Sequence, residues 1–255
     1  MPHEQRPTHR FSSRVPDYVR FRPRYPREVL AWLSQTIGFT PAWRVADVGS
    51  GTGIFTQLLL ENGNEVHAVE PNEPMRTEAE ASLATYPNFV SVPGTAEATG
   101  LPAHRFDLVT AAQAFHWFDP VPTSAEFHRI LKPGSHALIV FNSRRTTASA
   151  FMRAYDAQLE TRAVDYTRVD HRQVDAAKLR AFFGEYREWR FPFTVSHDLE
   201  GVLGLSASSS YTPAPDHPDH DDFYAALRAL FAAHARDGRV EFLYETEAYL
   251  GRPAG

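Results

Sequence analysis

The run Arg44-Val-Ala-Asp-Val48 followed by Gly49-Ser-Gly-Thr-Gly53 constrains this chain more than any other segment. The first five residues read as a short buried strand, the glycines as a tight loop, and Ile54 to Asn62 as a helix stopped by Gly63. Glycine tolerates positive φ and lets a ligand lie against the backbone, while the helix that follows offers free N–H groups to an anionic group. A nucleotide-like ligand is expected at such a loop. A dinucleotide loop has the spacing G-x-G-x-x-G, whose third glycine falls where this chain has Ile54.

The alternation continues along the chain. Glu65 to Val69, Phe89 to Val92, Phe106 to Ala112 and His136 to Phe141 read as strands, with helices over Glu73 to Thr85 and Val121 to Ile130 between them. An earlier helix runs from Pro26 to a stop at Gly38, and Arg190 to Val195 and Val240 to Tyr249 are the last strand candidates. Repeated βα units predict an α/β protein with a Rossmann-like, doubly wound, mostly parallel sheet. Residues 1–40 are expected to form an N-terminal arm and helix, and 41–142 the ligand-binding core. Residues 143–189, mostly helical and too long for a connection, are expected to form an inserted helical cap. Residues 190–255 then complete the sheet.

Composition narrows the chemistry. The chain has 255 residues, no cysteine and a formal net charge of −5. Without cysteine there is no disulfide framework and no thiolate nucleophile or thiolate metal ligand. The net negative charge disfavours a nucleic-acid partner, which needs a cationic surface. Arg6, Arg10, Arg14, Arg20, Arg22, Arg24 and Arg27 do cluster near the start, where they read as a solvated face or an RNA-binding arm. The sequence has no apolar run long enough to span a bilayer and no apolar core near Met1, so a cytoplasmic protein with no membrane partner is expected.

Beyond the glycine loop, Glu70 stands about 20 residues on, where an acid accepts hydrogen bonds from ribose hydroxyls. Val45-Ala-Asp-Val-Gly-Ser-Gly-Thr-Gly53 resembles motif I of class I S-adenosylmethionine (SAM)-dependent methyltransferases, and Val69-Glu70-Pro71 with Met75 resembles the ribose and adenine motif. Gly94-Thr-Ala-Glu97 is similar to the adenine-edge motif, with Thr95 where Asp is more usual. The stretch from Phe106 to Asp119, containing Gln113-Ala-Phe-His-Trp117, and Leu131-Lys-Pro-Gly134 resemble motifs of the bacterial small-molecule, type 11-like group. Phe11, Tyr18, Arg22-Pro-Arg-Tyr-Pro26, Ser208, Tyr211 and Phe242-x-Tyr-Glu-Thr246 extend the likeness over nearly the whole chain. The resemblance implies a seven-stranded sheet with one antiparallel edge strand. It implies SAM as cofactor, with S-adenosylhomocysteine (SAH) as product, on Asp47, Gly49, Ser50, Gly51, Thr52, Gly53, Glu70, Pro71, Met75, Thr95, Ala96, Glu97, Gln113 and Phe115.

Methyl transfer from a sulfonium is an in-line displacement whose rate comes largely from alignment in a water-poor site, with no metal required. An alcohol or ammonium acceptor must also lose a proton. His116 follows the fourth strand and has a side chain suited to that task; the alternative is that His116 and Trp117 shape the pocket floor. Tyr18 and Arg22 are placed to close over the cofactor, Arg22 by pairing a carboxylate. Tyr155, Asp165, Tyr166, His171 and Tyr211 are candidates for acceptor contact. Three functions fit these residues: methyl transfer to O, N or C of a small molecule, SAM binding without methyl transfer, and RNA methylation. A monomer or a homodimer is expected.

Overall fold

In the computed structural model of the protein, residues 20–164, 166 and 176–254 are described. In order along the described residues come α1 (Glu28–Ile37), β1 (Arg44–Val48), α2 (Ile54–Glu61), β2 (Glu65–Val69), α3 (Glu73–Ser82), β3 (Phe89–Val92) and β4 (Phe106–Ala112). A single 3-10 turn (Phe115–Trp117) leads to α4 (Pro120–Ile130) and β5 (Leu131–Arg144). The second half is α5 (Ala150–Arg162), α6 (Ala176–Phe183), β6 (Tyr186–His197), α7 (Leu199–Ala207), α8 (His220–His234) and β7 (Val240–Gly251).

The strands form one sheet of seven in the order β3-β2-β1-β4-β5-β7-β6. Neighbours from β3 to β5 are parallel, with Val45 opposite both Val66 and Leu108. β7 runs antiparallel to β5 on one side and to β6 on the other, so the expected antiparallel strand lies one place in from the β6 edge.

Alternation along each strand divides the apolar side chains between two faces. Val45, Val66, Leu108, Leu138 and Val140 face α1, α2 and α3, and pack with Val29, Leu33, Phe55, Leu59 and Leu83. Ala46, Val48, Val69, Val109, Ala137 and Ile139 face the other way, against Phe127 and Ile130 of α4 and Leu179, Phe182 and Phe183 of α6. Each fully buried Leu, Val or Phe contributes roughly 1.5–3 kcal/mol of transfer free energy, so these two layers supply most of the stabilisation of the sheet.

A third apolar cluster stands apart from both layers. Phe151, Met152, Tyr155 and Leu159 of α5 pack with Val202 and Leu205 of α7, Phe223 and Leu227 of α8, and Val240, Phe242 and Tyr244 of β7. Residues 143–189, expected to form the cap alone, are thus divided. α5 joins the helical layer, whereas α6 carries Leu179, Phe182 and Phe183 to the sheet. The remainder of the layer is α7 and α8. α7 carries two glycines, Gly201 and Gly204, poor helix formers that hid it from a periodicity reading. Its start is fixed by Asp198, whose carboxylate accepts from the Gly201 N–H at 2.8 Å.

Candidate functional site

Because β1, β2 and β4 are parallel neighbours, their carboxyl ends and the loops after them gather at one edge of the sheet. A cleft of about 330 Å³ opens there. It runs from the glycine loop, past the end of β4, to the underside of the helical layer.

At the loop end, Gly49, Ser50, Gly51 and Thr52 line the cleft together with Glu70, Pro71 and Met75. Glu70 is the organising residue. Its Oε2 accepts from the Gly51 N–H at 2.8 Å and its Oε1 from the Asn72 N–H at 2.8 Å. Burial raises the Glu70 pKa above the ordinary glutamate value, against the pull of those two N–H donors and of the Arg76 charge. The Asn72 side chain in turn caps α3 by accepting from the Met75 N–H at 3.0 Å. Gly51 has φ +58, and the nearest atom to a Cβ built on it is Met75 Sδ at 3.9 Å, so the backbone here borders open cleft. The Thr52 hydroxyl is buried and has no hydrogen-bond partner among the described residues. Thr95, Ala96 and Glu97, from the loop after β3, complete this end.

Gln113 stands where β4 ends, with φ +54, a conformation uncommon outside glycine. Its side chain clasps the Asn142 backbone: Oε1 accepts from the Asn142 N–H at 3.1 Å and Nε2 donates to the Asn142 carbonyl at 3.3 Å. Asn142 is buried and reaches three elements. Its Oδ1 accepts from Thr246 Oγ1 at 2.6 Å, and its Nδ2 donates to the carbonyls of Pro23 and Arg24 at 3.4 Å each. Gln113, His116 and Trp117 line the middle of the cleft. The His116 ring lies 4.7 Å from that of Trp117 and 6.1 Å from that of Phe141, and its carbonyl accepts from Lys178 Nζ at 3.0 Å. Arg22, Tyr166 and Tyr211 line the far end with Arg144 and Tyr244. The Arg22 guanidinium donates to the Ser208 carbonyl at 3.1 Å and to Ser209 Oγ at 3.2 Å, tying the arm to the helical layer.

Four expected site residues lie elsewhere. Asp47 does not line the cleft: alternation along β1 puts it on the same face as Val45, fully buried beneath α2. There its carboxylate accepts from Thr56 Oγ1 at 2.6 Å and Thr110 Oγ1 at 2.8 Å. Gly53 does not line the cleft but starts α2 with φ +85, and a Cβ there would come within 2.7 Å of Leu83 Cδ1. Phe115 is fully buried and packs edge-on against Phe182 at 5.0 Å. Tyr155 sits inside the helical layer, its hydroxyl 2.9 Å from Ser206 Oγ. Tyr18, Asp165 and His171 lie outside the described residues. Asn72, Asn142, Arg144 and Tyr244 were not anticipated. Asn142 carried a signal, being a polar residue directly after an apolar strand run.

The methyltransferase-domain family matches residues 46–139. An uncharacterised methyltransferase-like protein of Schizosaccharomyces pombe is 31% identical over 243 residues, 94% of this chain and 93% of its own length. An uncharacterised methyltransferase of Mycobacterium tuberculosis is 41% identical over 134 residues, 52% of each chain, so the match spans about half that relative's length. Among solved structures, a protein of Anaeromyxobacter dehalogenans assigned to the type II methyltransferases superposes with a TM-score of 0.67 at 25% identity, covering 91% of this chain and 98% of its own. The chain belongs to the class I SAM-dependent methyltransferase family. Among the described residues no helix is long and apolar enough to cross a membrane.

The buried position of Asp47 makes the stability of the fold depend on pH. Burial raises its pKa to about 6 despite the two threonine hydroxyls. Between about pH 4 and 6 the folded chain therefore holds a proton at Asp47 that the unfolded chain has released. That contribution to stability is full below pH 4 and lost as pH rises through about 6. Asp47→Asn removes this titration. The stability of the variant relative to wild type should rise by on the order of 2–3 kcal/mol between pH 4 and pH 7. Denaturant unfolding at several pH values measures it, and two parallel stability curves would contradict the buried, proton-binding environment.

Proposed function

We propose that this protein transfers the methyl group of SAM to a small molecule held beneath the helical layer. The observation that carries this reading is one continuous cleft with two chemically distinct ends. One end offers the glycine loop, a buried carboxylate and the Thr95–Glu97 loop. The other offers Arg22, Arg144 and several tyrosine hydroxyls, with His116 between them. The open space beside Gly51 and the Thr52 hydroxyl, unpartnered among the described residues, are what a polar ligand against this loop requires.

SAM, when bound, supplies an electrophilic methyl group on a positively charged sulfur. Glu70 is assigned to the ribose diol. Each of its oxygens accepts one backbone N–H and keeps a further lone pair for a hydroxyl. Thr95, Ala96 and Glu97 are assigned to the adenine edge, Pro71 and Met75 to its faces, and Ser50, Gly51 and Thr52 to the amino-acid moiety. Gly49 lets the loop pass close to Ala114, where a Cβ would come within 2.6 Å. Gln113 shapes the sulfur end through its hold on Asn142, and Arg22 fixes the arm across the cleft. We assign His116 as the base that accepts a proton from the acceptor, Trp117 as the pocket floor, and Tyr166 and Tyr211 as acceptor contacts. Residues 41–142 then form the cofactor half, and α5, α7 and α8 the acceptor half, excluding water from the reacting atoms. We take the protein to act in the cytoplasm, as a monomer or homodimer, without a nucleic-acid partner.

Titration calorimetry with SAH tests the cofactor site. Wild type should bind in the micromolar range, and Glu70→Ala should bind at least 10-fold more weakly, losing charge-assisted hydrogen bonds to the ribose. Unchanged affinity in a folded variant would place the ribose elsewhere, and binding of NAD in preference to SAH would overturn the reading. For the proposed base, His116→Ala should lower kcat by about 10²–10⁴-fold with SAH affinity retained. Near-normal kcat at saturating acceptor would make His116 a wall of the pocket instead.

A further inference from the structure

Arg144 closes β5 at the acceptor end of the cleft, opposite Tyr244 of β7. Its surroundings are unusual for an arginine held within a fold. Its NH1 group donates to Tyr211 Oη at 3.0 Å and its NH2 group to Tyr166 Oη at 3.1 Å. The guanidinium also lies 5.5 Å from the ring centre of Tyr155, 5.9 Å from Tyr166 and 6.0 Å from Tyr211. Among the described residues no carboxylate pairs with it directly. The nearest acid in this network, Asp156, is reached through Tyr166, whose hydroxyl donates to Asp156 Oδ1 at 2.5 Å.

Withdrawing a guanidinium from water without an anion beside it is unfavourable, and phenol oxygens offset that cost only in part. Two of its five N–H groups are used by the phenols, which leaves donor capacity on both terminal nitrogens in the planar fork that matches a carboxylate. The positive field is felt at Tyr211. Burial alone would raise the pKa of its phenol, yet the Arg144 and Arg22 charges bring it below the ordinary tyrosine value. The Tyr211 hydroxyl therefore presents a polarised O–H beside the guanidinium.

We propose that the acceptor carries a carboxylate group and that Arg144, flanked by Tyr166 and Tyr211, is the subsite that binds it. This rests on the assignment of the glycine-loop end to SAM, and it adds the chemical class of the acceptor. A purely structural arginine, stapling β5 to the helical layer, would affect stability but would not distinguish a carboxylate from its amide.

The experiment is calorimetry on the full chain, first with SAH alone and then, in SAH-saturated protein, with benzoate, succinate and citrate. Benzamide and succinamide serve as uncharged counterparts, and inorganic phosphate as the other oxyanion. At least one carboxylate should bind, at least 10-fold more tightly than its amide where the pair exists. Arg144→Gln should weaken that carboxylate at least 10-fold while SAH affinity changes less than 2-fold, and Arg144→Lys should fall between. Failure of all three carboxylates, equal binding of acid and amide, or binding of phosphate alone would overturn the proposal. So would an Arg144→Gln protein that loses SAH instead, since Arg144 would then hold the cofactor's own carboxylate. The acid-against-amide comparison uses wild type and stands even where a variant does not fold. Absence of SAH binding in the first titration would sink the cofactor assignment itself, before any acid is added.

Discussion

Two backbone N–H groups, from Gly51 and Asn72, converge on the buried carboxylate of Glu70. That small arrangement couples three things that otherwise have no reason to be adjacent: the turn after β1, the end of β2 and the start of α3. A carboxylate removed from water must be compensated, and here the donors are loop amides that have no partner within their own strand or helix. The glycine loop is thereby held in a left-handed conformation that leaves its ligand side open. The parallel pairing of β1 with β2 and β4 supplies the register that brings these groups within reach.

The same logic of buried polar groups joins the cleft's two ends. Asn142, at the carboxyl end of β5, is clasped by Gln113, accepts from Thr246 of β7 and donates to the arm at Pro23 and Arg24. Two residues later Arg144 reaches into the helical layer through Tyr166 and Tyr211. β5 thus positions the sheet, the arm and the layer over a common space. Because β6 and β7 extend well past the parallel strands, they carry a separate apolar cluster that builds a roof without disturbing the two layers of the sheet.

Features with a fixed local period or a fixed local geometry were legible in the sequence. The strand and glycine loop, the acid at Glu70 and the alternation of β and α all fall in that group, because each depends on neighbours within a few residues. Asp47 and Phe115 were assigned to the cleft because they fall within the motifs that carry the family resemblance. Strand alternation turns one towards α2, and the 3-10 turn buries the other against Phe182. The composition of the roof was beyond local reading. α5 and α8 are brought together by long-range packing, and α6 joins the sheet only because Leu179, Phe182 and Phe183 find Phe127 on α4. Arg144 gave no signal, since an arginine at a strand end is ordinary until its partners prove to be tyrosines.

The central claim is that the cleft performs methyl transfer and not cofactor binding alone. Incubating the protein with methyl-labelled SAM and a small-molecule metabolite extract, then following label and SAH by mass spectrometry, tests it most directly. Transfer requires that SAH accumulate in proportion to a newly labelled small molecule, and that neither form with the Glu70→Ala protein at a SAM concentration below its weakened affinity. SAM that binds wild type but keeps its label throughout would contradict the account and leave a cofactor-binding protein on a methyltransferase fold.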